Sequence, residues 1–312
     1  MTPGADIEPK SATRSGASVS AAAAALEAAI PEAPTPSRQA RPRAKRRLGS
    51  RSAASRLPEL LLPLAAGLAV LALWQAELFH ALLGLRTYQL PLPSAIAAAA
   101  AANAELLLRS AGVTLAEAWL GLAAGSLLGW LAAAAAVLRP ALGRGALLLA
   151  AALSAVPIVA LAPLFSLWLG DGIASRAGVA AVASLAPMAL GSWRGLTSPS
   201  PAELDLMRSL GASKAAEFRK LRLPSSLPYT LTALKINAAA SLIAAIVSEF
   251  FFASRGLGYL LSNSVKIARM PLGWACIAVA AAAGIASYGL LQLAERRLLH
   301  GRPDGADSKQ AR

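Results

Sequence analysis

Six long apolar stretches constrain the fold of this chain more than any other feature of its sequence. A helix needs about 20 mainly apolar residues to cross roughly 30 Å of membrane hydrocarbon, and each stretch reaches that length. We therefore predict an all-α, polytopic membrane protein with six transmembrane helices. The predicted spans are Leu57–Phe79, Thr114–Leu138, Ala146–Gly170, Arg176–Leu196, Leu227–Phe252 and Leu272–Leu293.

The charged residues lie mainly between these stretches and at the two ends of the chain. Charged residues make up only 15% of the sequence, against about 25% in soluble domains. Ten of the 30 lysines and arginines precede Leu57, six lie at or between the fourth and fifth spans, and five follow the sixth. The positive-inside rule then places both termini and the loop between spans four and five in the cytoplasm. The same placement argues against nucleic acid as a partner, although the net charge is +14.

Three segments are predicted along the chain. Residues 1–55, rich in Ala, Ser, Pro and Arg, are predicted to be a disordered basic cytoplasmic tail near anionic lipid. Residues 56–300 form the transmembrane domain, and residues 301–312 form a second cytoplasmic tail. Cys276 is the single cysteine, so no disulfide forms within the chain. No HExxH motif occurs, and we predict no metal site.

The first half of the transmembrane domain contains a repeat of small residues and a proline-rich segment. Gly121, Gly125 and Gly129 repeat every four residues, a spacing that lets helices approach closely in lipid. They could pack within the chain or against a second copy. Ser94, after the prolines of "LPLPSAI", is predicted to cap a short helix running to Leu108. Glu117 is interpreted as an interface residue at the start of the second span.

Prolines and polar residues inside the spans are the candidates for lining a path through the membrane. Pro157 and Pro163 are predicted to kink the third span. Asn237 and Ser241, four residues apart in the fifth span, share one face of the helix. Polar groups in a span are functional candidates because their burial is costly. Hydrogen bonding between helices is the alternative for this face.

Glu249 lies near the outer end of the fifth span and is the last candidate for the path. A carboxylate at this depth requires a partner. It could pair with Arg255 or Arg269, or it could stabilise the loop that follows the span.

The loop over residues 197–227 contains a well-marked short helix. Ser200 is a good N-cap, and Glu203 completes the S-x-x-E capping box. The helix is predicted to end near Leu210, with Gly211 just past its end. A second helix over residues 213–221 follows.

Two further predictions concern the prolines that follow these helices and the apolar side chains on the first of them. Pro224 and Pro228 are expected to end the second helix before the chain enters the membrane. Leu204, Met207 and Leu210 form an apolar ridge at helical spacing. The ridge could fit the groove of a partner protein, or it could fold back on the chain's own bundle.

This loop resembles the "EAA" loop of binding-protein-dependent ABC transporter permeases, E-A-A-x3-G-x9-I-x-L-P. Gly211 matches the glycine, Leu221 stands at the isoleucine position, and Leu223-Pro224 match the closing Leu-Pro. The opening triplet departs from the pattern, with Asp205-Leu206-Met207 in place of Glu-Ala-Ala. The segments "LPLPSAI" (90–96), "VPIVALAPLFSLWLG" (156–170) and "GLGYLL" (256–261) are similar to other parts of the same family, in particular its nitrate/sulfonate/taurine type.

The resemblance implies a type I ABC importer permease in the bacterial inner or plasma membrane. It implies two copies of an ABC ATPase, a second permease chain forming a homodimer, an extracytoplasmic substrate-binding protein and membrane lipid as partners. The substrate would be a small organic anion (a sulfonate, taurine or nitrate) or a pyrimidine- or flavin-type vitamin precursor. The residues implied to couple to the ATPase are Glu203, Asp205, Met207, Gly211, Ala212, Leu221, Leu223 and Pro224.

The energy source is expected to lie outside the chain. A P-loop needs a lysine directly after a glycine, and none of the seven lysines here has that neighbour. We therefore predict no cofactor and no catalytic residue in this chain, with ATP and Mg²⁺ used by a partner. The alternatives are a secondary transporter driven by an ion gradient, which would more readily show internal repeats, and a membrane enzyme, which would need clustered Asp, His or Cys.

Overall fold

The computed structural model describes residues 57–299, so both predicted basic tails lie outside the described residues. Twelve α-helices and one π-helical turn make up this part of the chain. Most of it, from Leu61 onward, belongs to one compact unit. The helices are α1 (Leu57–Gln75), α2 (Leu78–Leu83), α3 (Pro93–Ala102), α4 (Ala104–Leu138), α5 (Pro140–Ser154), α6 (Ile158–Leu169), α7 (Ile173–Leu196), α8 (Pro201–Ser209), α9 (Lys214–Glu217), α10 (Leu223–Phe252), α11 (Leu257–Lys266) and α12 (Met270–Leu299), with the π turn Phe218–Arg222 between α9 and α10.

Four of the helices are long and apolar enough to cross a membrane. They are α4, α7, α12 and the continuous helix Lys214–Phe252, which joins α9, the π turn and α10. They correspond to the second, fourth, sixth and fifth predicted spans. The protein is therefore a multi-pass, all-helical membrane protein in the part that the structure describes.

The third predicted span is a broken pair of helices rather than one kinked helix. The chain bends by 103° between α5 and α6. Pro157 occupies the break as the N-cap of α6, whereas Pro163 lies inside α6. A proline lacks the N–H that would continue the ladder and disfavours helix in the residue before it, which explains a break at Pro157. The pair counts as a fifth span only if both halves are taken together.

The first predicted span is represented by α1. Leu62–Gln75 belongs to the shorter apolar helices. Its large apolar side chains are exposed almost throughout, including Leu62, Leu64 and Leu68. Such a surface is typical of a helix that faces lipid or a partner.

The short helix after α2 differs from its prediction at both ends. Leu92 rather than Ser94 is the N-cap, with Pro93 as the first helical residue. Ser94 instead exchanges two hydrogen bonds with Gln75, each 3.1 Å long. The helix ends at Ala102, well before Leu108, and its C-cap Asn103 donates Nδ2 to the carbonyl of Ala99 at 2.8 Å.

The glycine stripe of α4 packs within the chain, which settles one of the open alternatives. A Cβ atom at Gly121, Gly125 or Gly129 would overlap the backbone or side chains of α7 between Ala177 and Ala189. Lipid provides no hydrophobic drive for helix association, so close backbone contact between small residues holds such a pair. Among the described helices, α4 and α7 pack against each other most extensively, and α10 packs against both.

The fifth span begins earlier than predicted, since Pro224 and Pro228 do not interrupt the helix. Leu223 donates its N–H to the carbonyl of Phe218, the i→i+5 bond of a π turn. Proline in a helix leaves an unpaired carbonyl and crowds the preceding turn, and a local π adjustment relieves both. The prediction that these prolines end the helix was therefore wrong.

Candidate functional site

The helix α8 has the two ends that the sequence predicted. The N–H of Ser200 donates to Oε2 of Glu203 at 2.8 Å, and Ser200 Oγ accepts from the Glu203 N–H at 3.4 Å. At the other end Gly211 has φ +71, and the N–H groups of Gly211 and Ala212 bond the carbonyls of Arg208 and Met207 at 2.9 and 3.0 Å. This is a Schellman motif, in which glycine avoids the strain of a left-handed conformation. The capping box and the position of Gly211 just past the end of the helix are confirmed.

The exposed face of α8 differs from the predicted ridge. Leu204 and Met207 are half-buried, whereas Leu206 and Leu210 are 61% and 75% exposed. Leu206 and Leu210 stand four residues apart, so they lie one above the other on the side of α8 that faces away from the bundle. Of the three ridge residues, Leu210 alone lies on the exposed face, and the half-burial of Leu204 and Met207 fits the alternative in which the ridge folds back on the bundle. Leu206, from the triplet that departs from the "EAA" pattern, takes their place.

A network of ion pairs and hydrogen bonds joins α8 to Glu217 and to the end of α7. Oε1 of Glu217 accepts a hydrogen bond from Nε of Arg222 at 2.8 Å and forms an ion pair with its Nη2 at 2.7 Å. Oε2 of Glu217 lies 3.7 Å from Nε of Arg208 on α8. Nη1 of Arg222 donates to the carbonyl of Leu196, the last residue of α7, at 3.1 Å. We call Arg208, Glu217, Arg222 and the Leu196 carbonyl the α8 network. It was not predicted, because a sequence read locally does not show that Arg222 reaches α7.

The remaining predicted coupling residues lie around this network. Ala212, Leu221 and Pro224 are half-buried, and Leu223 is partly exposed. Asp205 is exposed and pairs with Arg208 at 3.3 Å. Their role in coupling stays a prediction.

A second polar network lies at the opposite end of α7 and α10, and its central side chains are buried. Glu249, which is 0% exposed, accepts hydrogen bonds from Thr114 Oγ1 at 2.8 and 2.9 Å and from the N–H of Gly258 at 2.7 Å. Thr114 Oγ1 in turn accepts from the N–H of Leu257 at 2.9 Å. The Thr114 and Glu249 side chains thus cap the first two N–H groups of α11, which would otherwise lack partners. Of the possibilities left open for Glu249, stabilisation of the following loop is the one its contacts match.

An arginine continues this network on its other side. Arg176 is 1% exposed; its Nη1 lies 3.6 Å from Oε1 of the buried Glu117, and its Nη2 pairs with Asp171. Nη2 also donates to the carbonyl of Phe252, the last residue of α10, at 3.2 Å. Glu117 is therefore a core residue, and its interpretation as an interface residue was wrong. A carboxylate and an arginine in two predicted spans are a signal of pairing, because neither can be buried alone.

The two glycines that follow α10, Gly256 and Gly258, leave no room for a side chain beside Glu249. Gly256 has φ +99, and a Cβ atom there would overlap the Glu249 carboxylate. A Cβ atom at Gly258 would overlap the carbonyl of Ile246. We call Thr114, Glu117, Arg176, Glu249 and the N–H groups that they bind the α11 network.

The candidate path residues occupy different environments. Pro157 and Pro163 are exposed, while Asn237 and Ser241 are buried. Nδ2 of Asn237 donates to the carbonyl of Ser184 on α7 at 2.8 Å, so this side chain makes the interhelical bond that was the alternative to path lining. Ser241 bonds within its own helix, to the carbonyl of Ala238 at 3.1 Å.

Two clefts open on the face that α7 and α10 share. The larger, about 550 Å³, lies between Pro187 and Arg194 on one side and Pro228 and Ile236 on the other. The second, about 280 Å³, lies where α5 breaks from α6 and also contacts Ala240 and Ile243 of α10. Among the described residues, Arg194 is the one charged residue that lines either cleft. Apolar clefts with few polar groups are typical binding regions.

The fold and these two networks define a helical membrane protein that carries a capped, outward-facing helix on the loop between two spans. Residues 125–300 match the family described as binding-protein-dependent transport system inner membrane component. Because this match covers more than half of the chain, the protein belongs to that family. It is a permease subunit and not an enzyme, as the resemblance of the loop indicated.

Individual relatives agree with this assignment. A probable ABC transporter permease protein of Haemophilus influenzae is 30% identical over 201 residues, 64% of this chain and 82% of that protein. The formylaminopyrimidine transport permease protein ThiX of Halalkalibacterium halodurans is 33% identical over 144 residues, 46% of this chain and 58% of that protein. The taurine transport system permease protein TauC of Escherichia coli is also 33% identical over 144 residues, 46% of this chain and 52% of that protein.

A solved structure supports the fold. The crystal structure of an amino acid ABC transporter with histidines superposes with a TM-score of 0.53 and 22% sequence identity. The match covers 63% of this chain and 96% of that chain. At this identity the likeness supports the architecture of the helices alone.

Proposed function

We propose that this chain is the permease of an ABC importer whose helix α8 docks on a separate ATPase. The observation that carries the proposal is the exposed pair Leu206 and Leu210 on a helix capped at both ends. A preformed amphipathic helix with two apolar anchors suits the helix-in-groove mode of recognition. The six-span topology, with both termini and α8 in the cytoplasm, belongs to this proposal and is supported by the basic residues of the 4–5 loop.

The assembly follows from the same proposal. Two permease chains form a homodimer, each binds one copy of the ATPase, and an extracytoplasmic protein delivers the substrate. The exposed apolar face of α7 and α10, with its two clefts, supports a path formed where two chains meet. ATP and Mg²⁺ are used by the ATPase.

The substrate is proposed from the relatives. Taurine, aliphatic sulfonates, formylaminopyrimidine and riboflavin are named in the relatives' own descriptions. We propose a small organic anion (sulfonate, taurine or nitrate) or a pyrimidine- or flavin-type vitamin precursor. A thermal-shift measurement on the cognate binding protein with each of these compounds separates the candidates, and a lack of any shift would exclude all of them.

Co-purification with the cognate ATPase tests the docking of α8. Leu206→Glu places a charge in the apolar contact, so we expect the ATPase to be lost from the purified complex. Leu206→Met, the matched control, keeps an apolar side chain and should retain the ATPase. Gly211→Arg, which strains the left-handed turn that ends α8, should also lose it. Wild-type recovery of the ATPase by both Leu206→Glu and Gly211→Arg would refute docking through α8.

A further inference from the structure

The helix α8 has little direct packing against the rest of the bundle. Among the described residues, no other helix runs closely alongside it. Arg208 is therefore a principal link, and it lies 3.7 Å from Oε2 of Glu217. Apart from the short chain segments 197–200 and 210–213 that join α8 to α7 and α9, displacement of α8 passes through a small number of such contacts.

Glu217 leads from α8 to the ends of two long helices. Its carboxylate holds Arg222 through two nitrogens, and Arg222 holds the Leu196 carbonyl at the end of α7. The Glu217 and Arg222 side chains are 12% and 16% exposed, so water screens this pair much less than a surface pair. An arginine fork that bonds a carboxylate and a carbonyl at once has a fixed orientation.

Apolar packing next to these charged residues also holds the end of α7 against α4 and the π turn. Leu196 is fully buried against Ala133 and Ala134 of α4, and Phe218 packs on this cluster. Phe218 is adjacent to Glu217 and is the first residue of the π turn. The π turn thus contacts α4 and α7, while Glu217, directly before it, lies beside Arg208 of α8. Single π turns inside helices are frequent at functional sites.

We propose that Glu217 and Arg222 are positioning residues that transmit movement of α8 to the ends of α7 and α4. This inference rests on the proposed docking of α8 on an ATPase and adds the route by which that docking reaches the membrane helices. Without the pair, α8 binds the ATPase, but its movement reaches α7 only through the connecting segment 197–200. With the pair, α8, the π turn and the end of α7 move as one body.

Hydrogen exchange of the assembled complex tests the route without knowledge of the substrate. The permease and its cognate ATPase are purified together in nanodiscs, and exchange is compared with and without ATP plus vanadate. In the wild type we expect the nucleotide to change exchange in residues 198–212 and in residues 190–197. In Glu217→Gln the first change should persist, while the second falls roughly tenfold, as the loss of one charge-assisted hydrogen bond predicts.

Two further variants keep the test selective. Arg222→Lys keeps the charge but cannot bond Glu217 and the Leu196 carbonyl together, so it should show the same loss in residues 190–197. Glu105→Gln removes an exposed ion pair with Arg109 and is the matched control, with wild-type exchange expected.

The possible results separate this inference from the docking proposal. A wild-type permease that does not hold the ATPase would refute the docking itself. An assembled Glu217→Gln complex with a full response in residues 190–197 would refute only the route. Loss of assembly in Glu217→Gln would assign the pair to the docking of α8 and would also overturn the route.

Discussion

The two polar networks at opposite ends of α7 and α10 differ in their access to water. The α11 network is dry, since Thr114, Glu117, Arg176 and Glu249 are at most 1% exposed. In the α8 network the charges range from partly buried Glu217 to Arg208, whose side chain is 61% exposed. Removing one partner of a buried pair leaves a charge that nothing solvates, whereas water replaces the partner of an exposed one. The α11 end of the bundle is therefore fixed, whereas the outermost pair at the α8 end, Arg208 with Asp205, can rearrange at low cost.

The largest effect is expected from Gly256→Ala in the turn before α11. The added Cβ would overlap the Glu249 carboxylate at a residue with φ +99. Backbone strain and overpacking together should lower the free energy of unfolding by on the order of 4 kcal/mol. The melting temperature of the purified protein in detergent measures this. Gly211→Ala, at φ +71 but with no atom near the added Cβ, separates strain from overlap and should cost less. Equal melting temperatures for the two variants would contradict a tightly fitted turn.

The next largest effect is expected from Arg176→Met. This change leaves Glu117 buried without a counter-charge, which should cost about 3 kcal/mol. The double variant Arg176→Met/Glu117→Met removes both charges and should recover a large part of that loss. Thermal unfolding of the wild type, both single variants and the double variant gives the coupling energy. Additive losses would show that Glu117 and Arg176 do not depend on each other.

The smallest effect is expected from Asp205→Asn on α8. Asp205 and Arg208 form a surface pair with side chains 73% and 61% exposed, and such pairs contribute about 0.5 kcal/mol or less. The melting temperature should stay near that of the wild type. A loss as large as that of Arg176→Met would mean that the α8 end is as rigid as the α11 end.

The features that the sequence predicted well are local ones. The capping box of Ser200 and Glu203, the turn at Gly211 and the four long apolar helices each depend on residues within a few turns of one another. The likeness to a permease family rests on the same kind of pattern, Gly211 followed by Leu223-Pro224. Local propensity and spacing are sufficient for such features.

The features that the sequence did not predict depend on contacts between distant residues. Arg176 meets Glu117 across 59 positions, and Glu249 meets Thr114 across 135. Pro224 was expected to end a helix because proline usually does, but the π turn before it keeps the helix continuous. The exposed face of α8 also depends on which side the bundle occupies, and periodicity alone does not show that.

The continuity of Lys214–Phe252 has a mechanical consequence. Its 39 residues give a contour length of about 58 Å at 1.5 Å per residue, nearly twice the roughly 30 Å of hydrocarbon. A continuous helix of this length projects well beyond one surface of the membrane that it crosses. A small rotation of the projecting end about the membrane surface would move the part of the helix inside the bilayer sideways.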